Sequence, residues 1–144
     1  MKPEVDQILR FSAGQLLSGI APILPPGYDQ GAVALLGFMM LLSAQEFDRA
    51  ADIRVAENGD LRKLFTELAP QLGDPALKEK VKAAGETKDV SLTISALDAA
   101  NHELRRVLIA LHEHVDAKGD KAASQRIWAV LKAVAGRRLV TPPI

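Results

Sequence analysis

No cysteine occurs among the 144 residues of this chain. Disulfides, thiolate nucleophiles, Cys-based zinc sites and Cys-ligated clusters are therefore excluded. Charge of one sign is not in excess either. Eighteen Lys and Arg stand against eighteen Asp and Glu, without the basic surplus that nucleic-acid binders usually carry. Long hydrophobic runs are missing. The longest uncharged apolar run, Ala32 to Leu42, has eleven residues, where a membrane span needs about 20. It reads as a core helix segment, and no membrane association is expected. The N-terminal Met1-Lys2-Pro3-Glu4-Val5-Asp6 has no cationic start with an apolar stretch behind it, so no signal peptide is read and a cytoplasmic location is expected. Strand-like alternation over more than a few residues is also absent.

What remains is a chain rich in helix-forming residues, 48% hydrophobic and 25% charged, long enough to bury a core. Pro and Gly mark its breaks. A first helix is expected from Pro3 to about Ser18, with Val5, Ile8, Leu9, Ala13, Leu16 and Leu17 on one face. Pro22-Ile23-Leu24-Pro25-Pro26-Gly27 is a stiff connector. A long helix follows from Tyr28 or Asp29 towards Leu68, with Asn58-Gly59 as a candidate break. Asp74 caps a short helix that opens on Pro75 and ends near Gly85. Another long helix covers about Val90 to Ala117. Gly119-Asp120 is a turn, and a last helix runs from Lys121 to about Ala135, stopped by Gly136. The expectation is a single all-α domain over residues 1–144, an antiparallel bundle of four to five helices with two long ones.

Two segments of this bundle are alike. Ala56-Glu57-Asn58-Gly59-Asp60-Leu61-Arg62-Lys63-Leu64-Phe65 aligns with Ala99-Ala100-Asn101-His102-Glu103-Leu104-Arg105-Arg106-Val107-Leu108 at an offset of 43 residues. In heptad terms, Leu97, Leu104 and Leu111 fall at d in the later helix, with Asn101, Leu108 and Val115 at a. In the earlier helix Phe47, Leu61 and Leu68 fall at d, with Asn58, Phe65 and Leu72 at a. Both asparagines land on the apolar seam. A buried amide without a partner costs about 1–3 kcal/mol, so the two are expected close together where the long helices cross, or on a shared partner. Exposed positions on each helix are the alternative.

These residues resemble a family of small bacterial helical proteins. The family carries a Glu-Asn-x-x-Leu-Arg-x-Leu stretch mid-chain and an Asn-x-x-Leu-Arg stretch later. The matching positions are Glu57, Asn58, Leu61, Arg62 and Leu64, then Asn101, Leu104 and Arg105. Tyr28, at the expected start of the long helix, also fits. Gly59 departs from the helix former usual there. Genes of the family tend to sit beside acyl-CoA dehydrogenase and aminoglycoside-phosphotransferase-like kinase genes. The resemblance implies an accessory or partner role in acyl-CoA or hydroxyacyl-CoA catabolism, with no reaction to carry over.

Catalytic constellations are weak. His102, His112 and His114 are the only histidines, and none follows a Glu by three residues as in di-iron bundles. His112 and His114 point about 200° apart on a helix. Ser95, Asp98 and His102 share a face, but Ser95 and His102 lie about 10 Å apart along the axis, too far for a triad. Asp98–His102 and His112–Asp116 read as ordinary i, i+4 pairs. Gly27-Tyr28-Asp29-Gln30-Gly31 lacks the Lys and the strand of a phosphate loop. The basic C-terminal helix complements its own dipole, and Trp128 is expected in the core or at an interface. No metal or cofactor is expected.

The charged rows beside the seam, Arg62, Lys63, Arg105 and Arg106 with Glu57, Asp60 and Glu103, read first as a solvated, salt-bridged face. The functional alternative is a polar groove of Asn58, Arg62, Asn101 and Arg105, binding an anionic ligand or a partner's acidic residue. Finally, Val33-Leu35-Leu36-Phe38-Met39-Met40-Leu41-Leu42 is apolar nearly all round and demands cover from several helices or from a second copy. The sequence thus points to a non-catalytic accessory or protein-interaction protein, self-associating or bound to a partner such as the dehydrogenase or the kinase. A small-molecule binder or enzyme for an acyl, CoA-type or anionic ligand is the alternative.

Overall fold

A computed structural model describes residues 4–141. Every regular element in it is helical: α1 (Val5–Gly14), α2 (Tyr28–Leu68), α3 (Pro75–Gly85), α4 (Ile94–Lys118) and α5 (Lys121–Arg137). The chain is an all-α helical bundle with two long helices, α2 of 41 residues and α4 of 25. It divides into two compact units, Met1–Ala50 with Val140–Ile144, and Ala51–Leu139. The boundary falls inside α2, where no proline, glycine or polar linker marks it.

In the first unit, α1 passes without interruption into a π-helical segment, Gln15–Ile20, and then a 3-10 turn, Ala21–Ile23. The single helix expected to Ser18 is therefore wider-wound over its last part, and its expected first residue, Pro3, lies outside the described residues. Gly37 of α2 is what lets this segment approach. A Cβ there would sit 2.6 Å from Leu17 Cγ. The Gln30 side-chain amide donates to the Ala21 carbonyl at 3.1 Å and tethers the turn to the start of α2. Gln45 clamps Thr141 through both backbone groups, donating to its carbonyl and accepting from its N–H.

The first unit leaves much of its apolar surface bare. The segment of α2 expected to be covered on all sides, Val33 to Leu42, buries only Gly37, and Leu35, Leu36, Phe38 and Met39 are 60, 53, 44 and 55% exposed. An 18-residue window of this helix reaches a mean hydropathy of 1.2 with at most two charges, and only 11% of it is buried. The eleven-residue run thus understates the apolar stretch. By length and composition alone the helix suffices to cross a membrane, and its apolar N-terminal stretch is not a core segment.

The second unit holds the core. Leu61, Leu64, Phe65 and Leu68 of α2 pack with Val81 of α3, Leu104, Leu108, Leu111 and Val115 of α4, and Ala123 and Ile127 of α5. Three of its helix ends have a local cause. Asp74 accepts from Ala76 N and Leu77 N at 2.9 and 3.1 Å, and Pro75, which has no N–H to satisfy, opens α3. Gly119 adopts a left-handed φ of 67° and ends α4, while Asp120 N donates to the Val115 carbonyl. Asp120 then caps α5 through Ala123 N. Two residues turn the chain from one helix into the next.

Three boundaries depart from expectation. α2 runs through Asn58-Gly59 unbroken. α4 begins at Ile94 rather than near Val90, because residues 86–93 form a loop that reaches back to α2. α5 continues through Gly136 to Arg137.

Candidate functional site

The buried residues of α4 are Leu97, Asn101, Leu104, Leu108, Leu111 and Val115, the six a and d positions of the heptad. On α2 the seam holds from Asn58 to Leu68. It fails at Phe47, which is 56% exposed, while Leu72 lies beyond the helix yet still packs against the core.

Asn58 and Asn101 are buried, at 0 and 3% exposure, and bonded to each other. Asn101 Nδ2 donates to Asn58 Oδ1 at 2.9 Å. Asn58 Nδ2 donates to the Leu97 carbonyl at 3.2 Å and to Asp89 Oδ1 at 3.0 Å. Asn101 Oδ1 accepts from Arg105 Nε at 2.8 Å. The two amides thus satisfy one another and are anchored outward on both sides.

Each asparagine has an arginine four residues on, and each arginine meets a carboxylate. Arg62 donates through Nη2 to Asp89 Oδ1 at 2.7 Å and through Nε to Thr87 Oγ1 at 3.0 Å. Arg105 Nη2 donates to Glu57 Oε1. Glu57 is only 1% exposed and takes a second cation. Arg138 donates from Nε and Nη2 to Glu57 Oε2 at 3.0 and 2.7 Å. The halves of the repeat are therefore chemically parallel, amide to amide with a carboxylate on each flank. They differ in the source of the acid, the α3–α4 loop for one and α2 itself for the other.

The electrostatics follow from these contacts. Burial works to raise the Glu57 pKa, but the hydrogen bonds and charges of Arg105 and Arg138 outweigh it and hold it below the ordinary 4.5. The Arg62 guanidinium bonded to Asp89 is the largest influence there. With the Asn58 amide it overcomes the smaller desolvation and keeps the carboxyl below the usual 3.8. Both acids are ionised at neutral pH, so the network carries two carboxylates against Arg62, Arg105 and Arg138.

The four residues expected to line a polar groove are therefore brought together at a helix crossing, with the two asparagines inside it and Arg105 at its edge, 42% exposed. Asn58 and Asn101 offer no surface to a ligand. Arg105 faces Glu57, and Arg62 alone also borders an open groove. The solvated face expected for the charged rows is likewise corrected at Glu57, which is buried, whereas Arg106–Glu103 is an exposed pair. Asp98 pairs with Arg54 at 2.6 Å rather than with His102. His112 lies 3.7 Å from Asp116 and edge-on to Trp128, with ring centroids 5.5 Å apart. Trp128 itself is 60% exposed and outside the core, which takes Ala123, Ile127 and Val134 from α5 instead.

Sequence reasoning missed Asp89 and Arg138. Asp89 lies in a loop, where helical periodicity says nothing. Arg138 follows α5 and reads as a dipole-complementing basic end. The signal that could have found them is the unequal repeat, because an arginine beside each buried amide calls for an acid on each side.

No protein-family model matches the chain, and neither a curated protein nor a solved structure matches it. What defines it is the class of its fold and site, an all-α bundle whose long helices are locked by a buried amide pair between two arginine-carboxylate clusters.

Proposed function

We propose that this chain is a non-catalytic accessory or interaction protein that works through the apolar face of its first unit. The observation that carries the reading is the bare stretch of α2. Single exposed apolar residues are ordinary. Leu35, Leu36, Phe38 and Met39 follow one another within an 18-residue stretch of α2 that holds at most two charges, and contiguous apolar surface of that kind marks a contact site. The polar network supports the reading from the other side, since its amides and carboxylates are spent on holding helices together. The resemblance found in the sequence names candidate partners, an acyl-CoA dehydrogenase and a phosphotransferase-like kinase, beside a second copy of the chain.

Native mass spectrometry of the protein alone and mixed with each enzyme tests this. The expected result is a homodimer or a stoichiometric complex that Leu36→Glu with Met39→Glu abolishes, both sites being exposed and tolerant of charge. A monomer at every concentration that joins neither enzyme overturns the proposal.

A further inference from the structure

A second surface lies entirely within the second unit and has different chemistry. It is a groove of about 550 Å³ between α2, α3, α4 and the loop that joins α3 to α4. That volume falls within the range of small-molecule sites, roughly 300–1,000 Å³. Its floor is one stripe of α4, with Ala96, Ala99 and Ala100 giving way to Leu104 and Val107. Ala84 closes it from α3. At its lip Val90 is 95% exposed, an apolar side chain with nothing packed on it.

The polar side chains at this groove are two cations, Arg62 and Lys88, with the Thr87 hydroxyl and one carboxylate, Glu103. Lys88 lines it and makes no ion pair among the described residues. Arg62 lines it too, and is held in place by Asp89 and Thr87 through Nη2 and Nε. Its remaining nitrogen, Nη1, has no hydrogen bond among the described residues. The facing carboxylate, Glu103, sits two turns along α4 from Ala96 and is held by Arg106 at 2.6 Å. A slot walled by methyl groups, with an unpaired ammonium and a pre-set guanidinium at its edge, complements one kind of molecule.

We infer that this groove binds a linear aliphatic chain bearing an anionic head group. The chain lies along Ala96, Ala99, Ala100, Leu104 and Val107. The head group meets Lys88 and the free Nη1 of Arg62, a charge-assisted contact stronger than a neutral one. The two anchor residues differ in kind, because Arg62 is also part of the helix lock and Lys88 is not. Lys88 can therefore be changed without loosening the fold.

Decanoate and decyltrimethylammonium, both kept below their micellar concentrations, are the probes. Methyl-resolved NMR of the full chain gives the site, and calorimetry gives the affinity. Decanoate is expected to shift the methyls of Ala96, Ala99, Ala100, Leu104 and Val107. Ala99→Trp fills the slot at an exposed position and should weaken binding at least tenfold with unchanged thermal stability. Lys88→Glu should weaken decanoate several-fold and not the cationic analogue. Three results would each overturn the inference. The first is no shift in the groove. The second is equal binding of the two head groups. The third is shifts confined to Leu35, Leu36 and Met39, which would mark adsorption to the first unit's apolar face.

Discussion

An asparagine buried in a helix seam has one acceptor and two donor hydrogens to satisfy, and Asn58 satisfies all three, from Asn101, Leu97 and Asp89. Removing either member of the pair strands its partner. Asn58→Ala and Asn101→Ala should each cost about 1–3 kcal/mol in urea unfolding. The double variant should cost clearly less than their sum, because neither amide is then left unpaired. Additive losses would show that the bond between them contributes nothing. The carboxylates add a pH dependence whose sign follows from their lowered pKa values. Glu57 and Asp89 bind protons less readily folded than unfolded. Their stabilisation is complete above the unfolded values of 4.5 and 3.8, and it is lost as pH falls through the lower folded ones. Stability should hold from pH 7 to about 5 and decline below about 4. Glu57→Gln should lower the neutral-pH plateau and flatten part of the acid slope. Unfolding midpoints across that range provide the check.

Helices expose a different economy, in which glycines with the same name have opposite effects. Gly59 lies inside α2, exposed, and a Cβ there would meet nothing within 4 Å. Gly59→Ala should therefore stabilise the protein by about 1 kcal/mol, through helix propensity alone. Gly85 ends α3 against α2, and a Cβ there would stand 2.9 Å from Thr66 Oγ1 and 3.2 Å from Thr66 N. Gly85→Ala should destabilise by about 1–3 kcal/mol, because backbone must move to admit it. Thermal unfolding of the two variants side by side separates propensity from packing. The element scale also shows how much of the site could be read in advance. The repeat located both asparagines and both arginines, since a/d periodicity says which face of a helix turns inward. It left Asp89 out, because a loop has no period. It also misplaced Glu57 on a solvated face, because burial of a charge depends on cations brought from α4 and from Arg138 beyond α5.

At the scale of the molecule, zero formal charge and a bare apolar helix face set the character of any association. Contacts between such faces depend on surface removed from water and little on charge. Apparent mass in sedimentation should rise with concentration and persist from about 0.1 to about 1 M salt, although the screening length falls from about 10 to about 3 Å. Dissociation on adding salt would assign the contact to charged groups instead. Sequence alone determined what is local or periodic: an all-α chain, the cap at Asp74, the turn at Gly119-Asp120, and the inward face of α4. Each follows from residues within a few positions of one another. Only tertiary structure decided the rest. It joined Asn58 to Asn101 across 43 residues and drew Arg138 onto Glu57 across 81. It left the most apolar segment of α2 uncovered, because cover is supplied by other elements and hydropathy records only the need for it.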